Sequence, residues 1–427
     1  MKPSILESMV LPEEAQEGEE IIATYLLSDT QEDIVKKAAA MASEQSTGTW
    51  VRVPGIDQAA VDRHAARVVS IWEVPDRLTS EADSEKHTDY VVRLAFPSDN
   101  FRPQIPMLFT TVFGNISLFG KVKLLDITFP KSFTQAMPGP CFGISGIRKL
   151  LGVPDRPLLN TMIKPSIGIT PVQGAELLFQ AAAGGADIIK DDEVLADNDI
   201  SPIMRRLECY QKKLRQAEKE TGEKKLYALN VTGDADICIR NAERAVAEGA
   251  KGIMVNFLTA GFGVISALAR NSAVNVPILS HLDFGGALCG GSTTGVSAAL
   301  LYGKLARLAG ADMLTIPTPY GKFSINQRNY AAIVTGLRNT LHDVNPVFPI
   351  IGGGITPGML PALYSFLGRD FIIGAGGAVY GHPMGASAGA KAFRQGLSLL
   401  MAGKNITETG DQAELAAALK IWGIDSE

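Results

Sequence analysis

Hydrophobic residues in the last two thirds of the chain recur as short apolar runs, each followed by a helical stretch such as VQGAELLFQAAA (172–183). Eight parallel βα units of this kind predict a closed (β/α)8 barrel. A doubly wound open sheet is the alternative, but it needs a G-x-G-x-x-G motif after its first strand, and none is there. The runs predicted as strands are LLNTMIKP (158–165), ADIIKDD (186–192), LYALNVTG (226–233), GIMVNFLT (252–259), VPILSHLD (276–283), DMLTIPTP (312–319), PVFPIIGGG (346–354) and DFIIGAGG (370–377).

The first third of the chain has a different pattern, in which strand-like runs outnumber helical ones. This pattern predicts an α+β domain, with a sheet covered by helices on one face. Pro138-Gly139-Pro140 punctuates the chain, so we predict domains at 1–137 and 138–427, with residues 1 to about 20 as a loose arm. The predicted elements are a helix at 29–45 and strands IIATYLL (21–27), ARVVSIWEV (66–74), YVVRLAF (90–96), MLFTTVFG (107–114) and KVKLLDITFP (121–130).

Composition narrows the class of protein. A length of 427 residues suits two or three domains, and a net charge of −5 argues against nucleic-acid or anionic-membrane partners. No apolar segment approaches the roughly 20 residues that span a bilayer, and the N-terminus lacks the features of a signal peptide. Four widely spaced cysteines without a CxxC pair predict reduced thiols. We therefore expect a cytoplasmic protein with neither nucleic acid nor membrane as a partner.

One predicted strand ends in a lysine and three acids, Lys190, Asp191, Asp192 and Glu193. Side chains alternate along a strand, so Lys190 and Asp192 face one way and Asp191 the other, while Glu193 can turn back toward the first pair. An amine and two carboxylates that converge in this way suit a hard cation such as Mg²⁺. The alternative is a salt-bridged strand end on a solvated face.

The barrel prediction bears on that choice, because the chemistry of such barrels lies at the C-terminal ends of the strands. Polar side chains and glycines are predicted to gather at that rim, which favours a functional site over a solvated ion pair. They are Lys164, the 190–193 cluster, Asn230, His281 with Asp283, Thr318 with Lys322, Gly352 to Gly354, and Gly374 to Gly377.

The two glycine runs follow the seventh and eighth predicted strands. Backbone N–H groups uncovered by side chains can bind a phosphate there, as barrels of this class commonly do after these strands. Tight turns are the alternative interpretation, but two runs at these strands favour a phosphorylated small-molecule substrate.

With these residues placed, the chain resembles the large subunit of ribulose-bisphosphate carboxylase (RuBisCO) and, more closely, the non-carboxylating RuBisCO-like proteins of form IV. The resemblance implies a ferredoxin-like α+β domain followed by a (β/α)8 TIM barrel. It also implies a homodimer, or an assembly of dimers, in which the N-terminal domain closes the partner's barrel mouth. The motifs that carry it are SEQSTGTW (43–50), TMIKP (161–165), GGADIIKDDE (184–193), GGGI (352–355) and GAGGAVYGHPMG (374–385).

The resemblance implies a metal site. Lys190 is similar to the lysine that takes up CO2 as a carbamate, and Asp192 and Glu193 to its fellow Mg²⁺ ligands. Carbamylation would turn a cation that repels the metal into an anionic oxygen ligand.

Further roles follow from the same resemblance. Lys164 is similar to the lysine near the substrate carbonyl and enolate, His281 to a substrate-hydroxyl contact, and Lys322 to the lysine of a mobile loop. Without the resemblance, His281 is equally a core histidine and Lys322 a solvated loop lysine. The implied substrate-binding residues are Glu44, Thr49, Trp50 and Asn115 from the partner's N-terminal domain, and Gly353, Gly354, Gly376 and Gly377 at the phosphate.

Departures from the carboxylase argue against CO2 fixation. Ser166 stands where the carboxylase has a second lysine, Leu282 where it has a phosphate-binding arginine, and Thr315 where it has a histidine. A site without these groups is not expected to hold or carboxylate a bisphosphate.

Asn115 bears on the reaction. The methionine-salvage enolase of this family uses a lysine as base at this position, and an amide cannot take a proton at neutral pH. We therefore favour a Mg²⁺-dependent lyase that decarboxylates a phosphorylated 3-oxo sugar acid of the 3-oxo-isoapionate type. Lys164 and Mg²⁺ would stabilise the enolate, and Lys322 would pair with the departing carboxylate. The alternatives are an enolase or isomerase of a (methylthio)ketose phosphate in sulfur salvage, and a non-catalytic relative that binds a phosphate ligand.

Overall fold

The computed structural model describes residues 19–28, 33–48, 53–75 and 88–424 of the chain. They form a five-stranded mixed sheet and a closed barrel of eight parallel strands. Both parts of the predicted fold class, the α+β domain and the (β/α)8 barrel, are therefore confirmed.

The N-terminal sheet has the strand order of a ferredoxin-like domain, β4-β1-β3-β2, with antiparallel neighbours. Alternate residues of β1 are buried, as expected for a sheet with one covered face. The elements in chain order are β1 (Glu20–Leu27), α1 (Ile34–Glu44), α2 (Gln58–His64), β2 (Arg67–Val74), β3 (Asp89–Pro97), α3 (Ile105–Phe113), β4 (Val122–Thr128) and α4 (Lys131–Ala136).

The predicted strand at 107–114 is wrong, because these residues lie in helix α3 and at its end. The buried residues of α3 are Ile105, Leu108 and Val112, which share one face at helical spacing. Pro106 in the first turn favours the start of a helix. The run of β-branched and aromatic residues suggested a strand, but its packing against the sheet follows the helical period instead.

The eight barrel strands coincide with the eight predicted runs. Strand β13 pairs with β5 and closes the barrel. The strands are β5 (Leu158–Met162), β6 (Ile188–Lys190), β7 (Leu226–Asn230), β8 (Ile253–Val255), β9 (Ile278–Ser280), β11 (Met313–Ile316), β12 (Phe348–Ile351) and β13 (Ile372–Gly374), while β10 (Gly295–Val296) leaves the barrel and adds to β4.

Helices connect the barrel strands and cover the barrel's outer surface. The helical segment between β10 and β11 begins as a π-helix, Ala299–Leu305. The helices are α5 (Gly143–Leu151), α6 (Pro171–Ala183), α7 (Ile203–Thr221), α8 (Ala235–Ala247), α9 (Phe257–Ala260), α10 (Phe262–Arg270), α11 (Gly285–Cys289), α12 (Ala306–Ala309), α13 (Gln327–Arg338), α14 (Leu360–Leu367), α15 (Gly377–Tyr380), α16 (Ala386–Met401) and α17 (Ala413–Trp422).

The barrel interior is apolar toward the N-terminal ends of the strands and polar toward their C-terminal ends. The apolar part is a buried cluster that includes Leu158, Ile188, Met254, Leu279 and Met313. Because strand side chains alternate, the residues two positions further along also face inward. They include Asn160, Lys190, Asn256, His281 and Thr315, all of them buried.

The predicted boundary at Pro138 to Pro140 falls between α4 and α5 and stays a prediction. Across the part of the chain that the structure describes, every helix is too short or too polar to cross a lipid bilayer.

A network of charged side chains stabilises the N-terminal end of the barrel. Glu223 accepts hydrogen bonds from Arg394 of α16 at 2.9 Å and from Lys225 at 2.8 Å. Partial burial would raise the pKa of Glu223, but these two cations outweigh it and lower the pKa to about 2. A carboxylate with a depressed pKa stabilises the fold above its ordinary pKa, and this stabilisation is lost as pH falls toward the folded value.

We expect Glu223→Gln to destabilise the protein at pH 7 by roughly 1 kcal/mol, after allowance for solvent screening of a partly exposed group. The difference in melting temperature between wild type and variant should be smaller at pH 3.5 than at pH 7. Glu208→Gln, which removes an exposed ion pair with Arg205, is the control and should show little difference at either pH. A wild-type to Glu223→Gln difference that does not change with pH would contradict the assignment.

Candidate active site

Lys190 is the last residue of β6 and points into the barrel. Its side chain is fully buried, and its Nζ donates to the carbonyl of Asp191 at 2.9 Å and lies 3.5 Å from Glu193 Oε2. Burial lowers the pKa of Lys190, although the carboxylates of Glu193 and Asp192 oppose this shift. The neutral amine, which is the form that can add CO2, is therefore more accessible here than for an exposed lysine.

Asp191 faces away from the barrel interior, as the alternation of strand side chains predicts. It is buried between β7 and α7 and accepts hydrogen bonds from Tyr227 Oη at 2.6 Å, Arg206 Nε at 3.1 Å and the backbone N–H of Asn230 at 2.9 Å. Arg206 also donates to the carbonyls of Ala196 and Ser201 in the loop after β6. Asp191 therefore anchors the strand end from behind and is not available to the inner site.

Asp192 forms an ion pair with Lys164, which follows β5. Lys164 Nζ donates to Asp192 Oδ2 at 2.6 Å and to Ser166 Oγ at 2.8 Å. Burial would raise the pKa of Asp192, but the hydrogen bond and charge of Lys164 and the charge of Lys190 hold it below the usual value. Asp192 is thus an ionised carboxylate beside a lysine whose side chain is 39% exposed.

Glu193 lies between Lys190 at the end of β6 and His281, which follows β9. Its Oε2 lies 3.4 Å from His281 Nε2, and His281 Nδ1 lies 3.2 Å from Asp283 Oδ1. The two ring nitrogens of His281 therefore each face a carboxylate. The structure brings Lys164, Lys190, His281 and the two predicted ligand carboxylates together at one end of the barrel.

Two asparagines, one at the end of β7 and one directly after β8, hold the main-chain carbonyls of Asp192 and Glu193. Asn256 Nδ2 donates to the carbonyl of Glu193 at 2.8 Å. Asn230 Nδ2 lies 3.2 Å from the carbonyl of Asp192 and 3.3 Å from that of Glu193. Sequence reasoning placed Asn230 at the rim but missed Asn256, although its place directly after an apolar strand is the same signal.

The glycines predicted to bind a phosphate lie after β12 and β13. Gly353 and Gly354 have φ of 98° and 89°, which favour glycine. A Cβ on Gly376 would lie 2.5 Å from Met162 Sδ, while a Cβ on Gly377 would meet open space. Gly354 and Gly377 are exposed, so their backbone is accessible at the rim, as a phosphate site requires.

Lys322 lies in the loop after β11, outside the inner cluster. Its backbone N–H donates to the carbonyl of Gly353 at 2.7 Å, and its Nζ lies 4.7 Å from the centre of the Phe323 ring. The loop is therefore joined to the glycine segment after β12, while the ammonium group packs on an aromatic ring. The predicted catalytic role of Lys322 stays a prediction.

Two of the four predicted partner-site residues meet in the N-terminal domain. Asn115 Nδ2 donates to Glu44 Oε1 at 2.9 Å, and Gln45 Oε1 accepts from the backbone N–H of Asn115 at 2.9 Å. Gln45 is a contact that the sequence did not indicate. Thr49 and Trp50 lie outside the described residues.

The donor set fits Mg²⁺ only if Lys190 is counted. Within the described ranges, His, Cys, Asp and Glu side chains alone form no group of three that could hold a metal. Lys190 as a carbamate, with Asp192 and Glu193, would supply three anionic oxygen donors, which a hard divalent cation prefers. The lowered pKa of Lys190 and the convergence of these side chains are consistent with that set.

Comparison with known proteins identifies the family. The ribulose bisphosphate carboxylase large chain, N-terminal domain, matches residues 11–133, and the catalytic domain of the same chain matches residues 143–422. The chain belongs to the RuBisCO large-chain family. This membership confirms the resemblance seen in the sequence.

Similar proteins indicate which branch of the RuBisCO family the chain belongs to. A ribulose bisphosphate carboxylase-like protein of Archaeoglobus fulgidus is 42% identical over 96% of this chain and 95% of its own length. A 2,3-diketo-5-methylthiopentyl-1-phosphate enolase of Bacillus mycoides is 37% identical over 94% of this chain and 97% of its own length. The relatives place the chain with the RuBisCO-like proteins, in agreement with the loss of carboxylase residues at Ser166 and Leu282.

Solved structures support membership of the RuBisCO large-chain family. The RuBisCO-like protein MtnW of Alicyclobacillus acidocaldarius superposes with a TM-score of 0.88 at 32% identity, covering 95% of this chain and all of the other. An octameric RuBisCO of Pyrococcus horikoshii has a TM-score of 0.88 at 30% identity and covers 96% of each chain.

Proposed function

We propose that this protein is a Mg²⁺-dependent enzyme that forms an enolate from a phosphorylated ketone by enolisation or isomerisation. The main support is the 2.6 Å hydrogen bond from Lys164 to Asp192, which lies beside Lys190 and Glu193 at the C-terminal end of the barrel. It sets a cation next to the proposed metal ligands, in the part of the barrel where such enzymes do their chemistry.

Lys190 as a carbamate, Asp192 and Glu193 would hold the Mg²⁺. When bound, the metal would withdraw electron density from a ketone oxygen and stabilise the enolate. Lys190 Nζ lies 3.5 Å from Glu193 Oε2, and the charge of Asp192 acts on Lys190, which supports a common site for the three side chains.

Other residues would bind and orient the substrate. Lys164, as a cation, would donate a hydrogen bond to the oxygen on which negative charge develops. His281, held between Glu193 and Asp283, would contact a substrate hydroxyl. Backbone N–H groups of Gly353, Gly354, Gly376 and Gly377 would bind the phosphate.

The relatives support enolisation over the decarboxylation that the sequence led us to prefer. One of them is an enolase of a methylthio diketone phosphate that aligns over 94% of this chain. Decarboxylation of a phosphorylated 3-oxo sugar acid remains a second candidate. The side chain of Asn115 is an amide that is hydrogen-bonded to Glu44, and it cannot act as the base that enolisation needs. Loss of CO2 gives an enolate without removal of a C–H proton.

We further propose that the protein acts as a homodimer or an assembly of dimers. Glu44, Thr49, Trp50 and Asn115 of one subunit would then complete the barrel site of the other. The octameric relative of Pyrococcus horikoshii supports assembly beyond a single chain.

Turnover assays with Mg²⁺ and bicarbonate test the proposal and separate its two reactions. With 2,3-diketo-5-methylthiopentyl-1-phosphate in deuterium oxide, we expect exchange of the proton next to the ketone, followed by NMR. With a phosphorylated 3-oxo sugar acid, CO2 release would support the second candidate instead. Lys164→Met, which removes the cation and keeps much of the side-chain volume, should lower either activity by about 10²- to 10³-fold. Absence of both activities together with absence of Mg²⁺ binding would refute an enolate-forming enzyme.

A further inference from the structure

We propose that Asn256 is a positioning residue that fixes the turn carrying Glu193 and so sets the affinity of the site for Mg²⁺. This inference rests on the proposed function, because it assigns Asn256 a role toward the metal site of that reaction. Asn256 touches the main chain of a proposed ligand and leaves the ligand's carboxylate free.

Residues 191 to 199 form no regular helix or strand, and the carbonyl of Asp192 accepts a turn hydrogen bond from the N–H of Leu195 at 3.0 Å. The carbonyl of Glu193, within the described residues, is held by side-chain amides instead. Asn256 donates to the carbonyl of Glu193 at 2.8 Å, and Asn230 lies within 3.3 Å of the carbonyls of both Asp192 and Glu193. The turn is thus tied to two neighbouring strands, β7 and β8.

The hydroxyl of Thr232 connects the side chain of Asn230 to the backbone of Asn256. Thr232 Oγ1 donates to Asn230 Oδ1 at 2.6 Å and accepts from the backbone N–H of Asn256 at 2.9 Å. Because Asn230 Oδ1 is engaged by Thr232, its Nδ2 must face the ligand carbonyls. The orientation of Asn256 follows in the same way, since exchanging its Oδ1 and Nδ2 would set two oxygens against each other.

Packing alone would not favour an asparagine at position 256. Its side chain is buried, and its Oδ1 has no hydrogen-bond partner within the described part of the chain. A buried carbonyl oxygen without a partner costs free energy, so an apolar residue of similar size would serve a packing role better. The donor bond to Glu193 is what the asparagine adds.

The consequence falls on the Glu193 carboxylate, which lies 3.5 Å from Lys190 Nζ and 3.4 Å from His281 Nε2. Its side chain is 35% exposed, so packing restrains it only in part. If the carbonyl is released, the turn can rotate and carry the carboxylate away from Lys190 and Asp192. Residues that orient metal ligands typically change metal affinity by 10- to 100-fold when they are removed.

Calorimetric titration of Mg²⁺ in bicarbonate buffer tests this on the full chain. Asn256→Ala and Asn256→Leu both remove the donor but differ in volume, and we expect both to weaken Mg²⁺ binding by about 10- to 100-fold. Asn345→Ala is the matched control, because it removes a hydrogen bond from a side-chain amide to the carbonyl of Pro140. That hydrogen bond lies away from the proposed metal site. Its affinity for Mg²⁺ should equal that of wild type.

Unchanged Mg²⁺ affinity in both Asn256 variants would overturn the proposal, as would a loss confined to thermal stability. If wild type itself binds no Mg²⁺, the proposed function fails, and hydrogen exchange of the metal-free protein then decides the inference separately. Faster exchange of the amides at 192–195 in Asn256→Ala than in wild type supports the positioning role. Equal exchange there overturns it.

Discussion

Replacing Lys190 with alanine is expected to abolish Mg²⁺ binding and lower turnover by 10³-fold or more, on the order of losing the metal's whole contribution. The reason is that Asp192 and Glu193 alone leave the site one anionic donor short, and Asp192 is already paired with Lys164. Calorimetry with Mg²⁺ and a turnover assay measure the two effects.

Lys225→Ala is the matched control, because its side chain is also fully buried and paired with a glutamate, at the opposite end of the barrel. It should lower the melting temperature but leave the Mg²⁺ affinity of the folded protein unchanged. Full turnover by Lys190→Ala would refute the assignment of Lys190 to the metal.

Asp187→Ala is expected to destabilise the protein by about 3 to 5 kcal/mol, because it leaves a mostly buried guanidinium without its partner. Asp187 is fully buried before β6 and accepts from Arg156 at 2.6 and 2.7 Å and from the backbone N–H of Leu159 at 2.8 Å. Urea unfolding measures the change in the free energy of unfolding.

Asp155→Ala serves as its control, since it removes an exposed pair with Arg369 and should cost less than about 1 kcal/mol. Equal losses for the two variants would show that burial of the Asp187 pair does not decide its contribution.

The placement of the site was predictable in large part because strand periodicity fixes which residues share a face. The run ending at Lys190 is apolar and short, so the charges after it had to lie at a strand end. The alternation then separated Asp191 from its neighbours, and Asp191 does bond outward to Arg206 and Tyr227. The helix α3 was mistaken for a strand because its apolar residues are β-branched and aromatic, which strands also favour.

Contacts between distant parts of the chain were not predictable, because no local pattern specifies them. Asn256 is 63 residues from Glu193, and Asn115 is 71 residues from Glu44. The contact of the Lys322 ammonium with the Phe323 ring was likewise not predicted, while the catalytic role of Lys322 stays a prediction.

By itself the sequence determined the barrel and the residues at its C-terminal rim, because periodicity and strand-end chemistry are local properties, and its motifs carried the resemblance to the family. Only the tertiary structure decided how those residues meet: the pairing of Lys164 with Asp192, the burial of Lys190, and the amide support of Glu193 by Asn256. These depend on the closure of the barrel, which brings strands far apart in the chain within hydrogen-bonding distance of one turn.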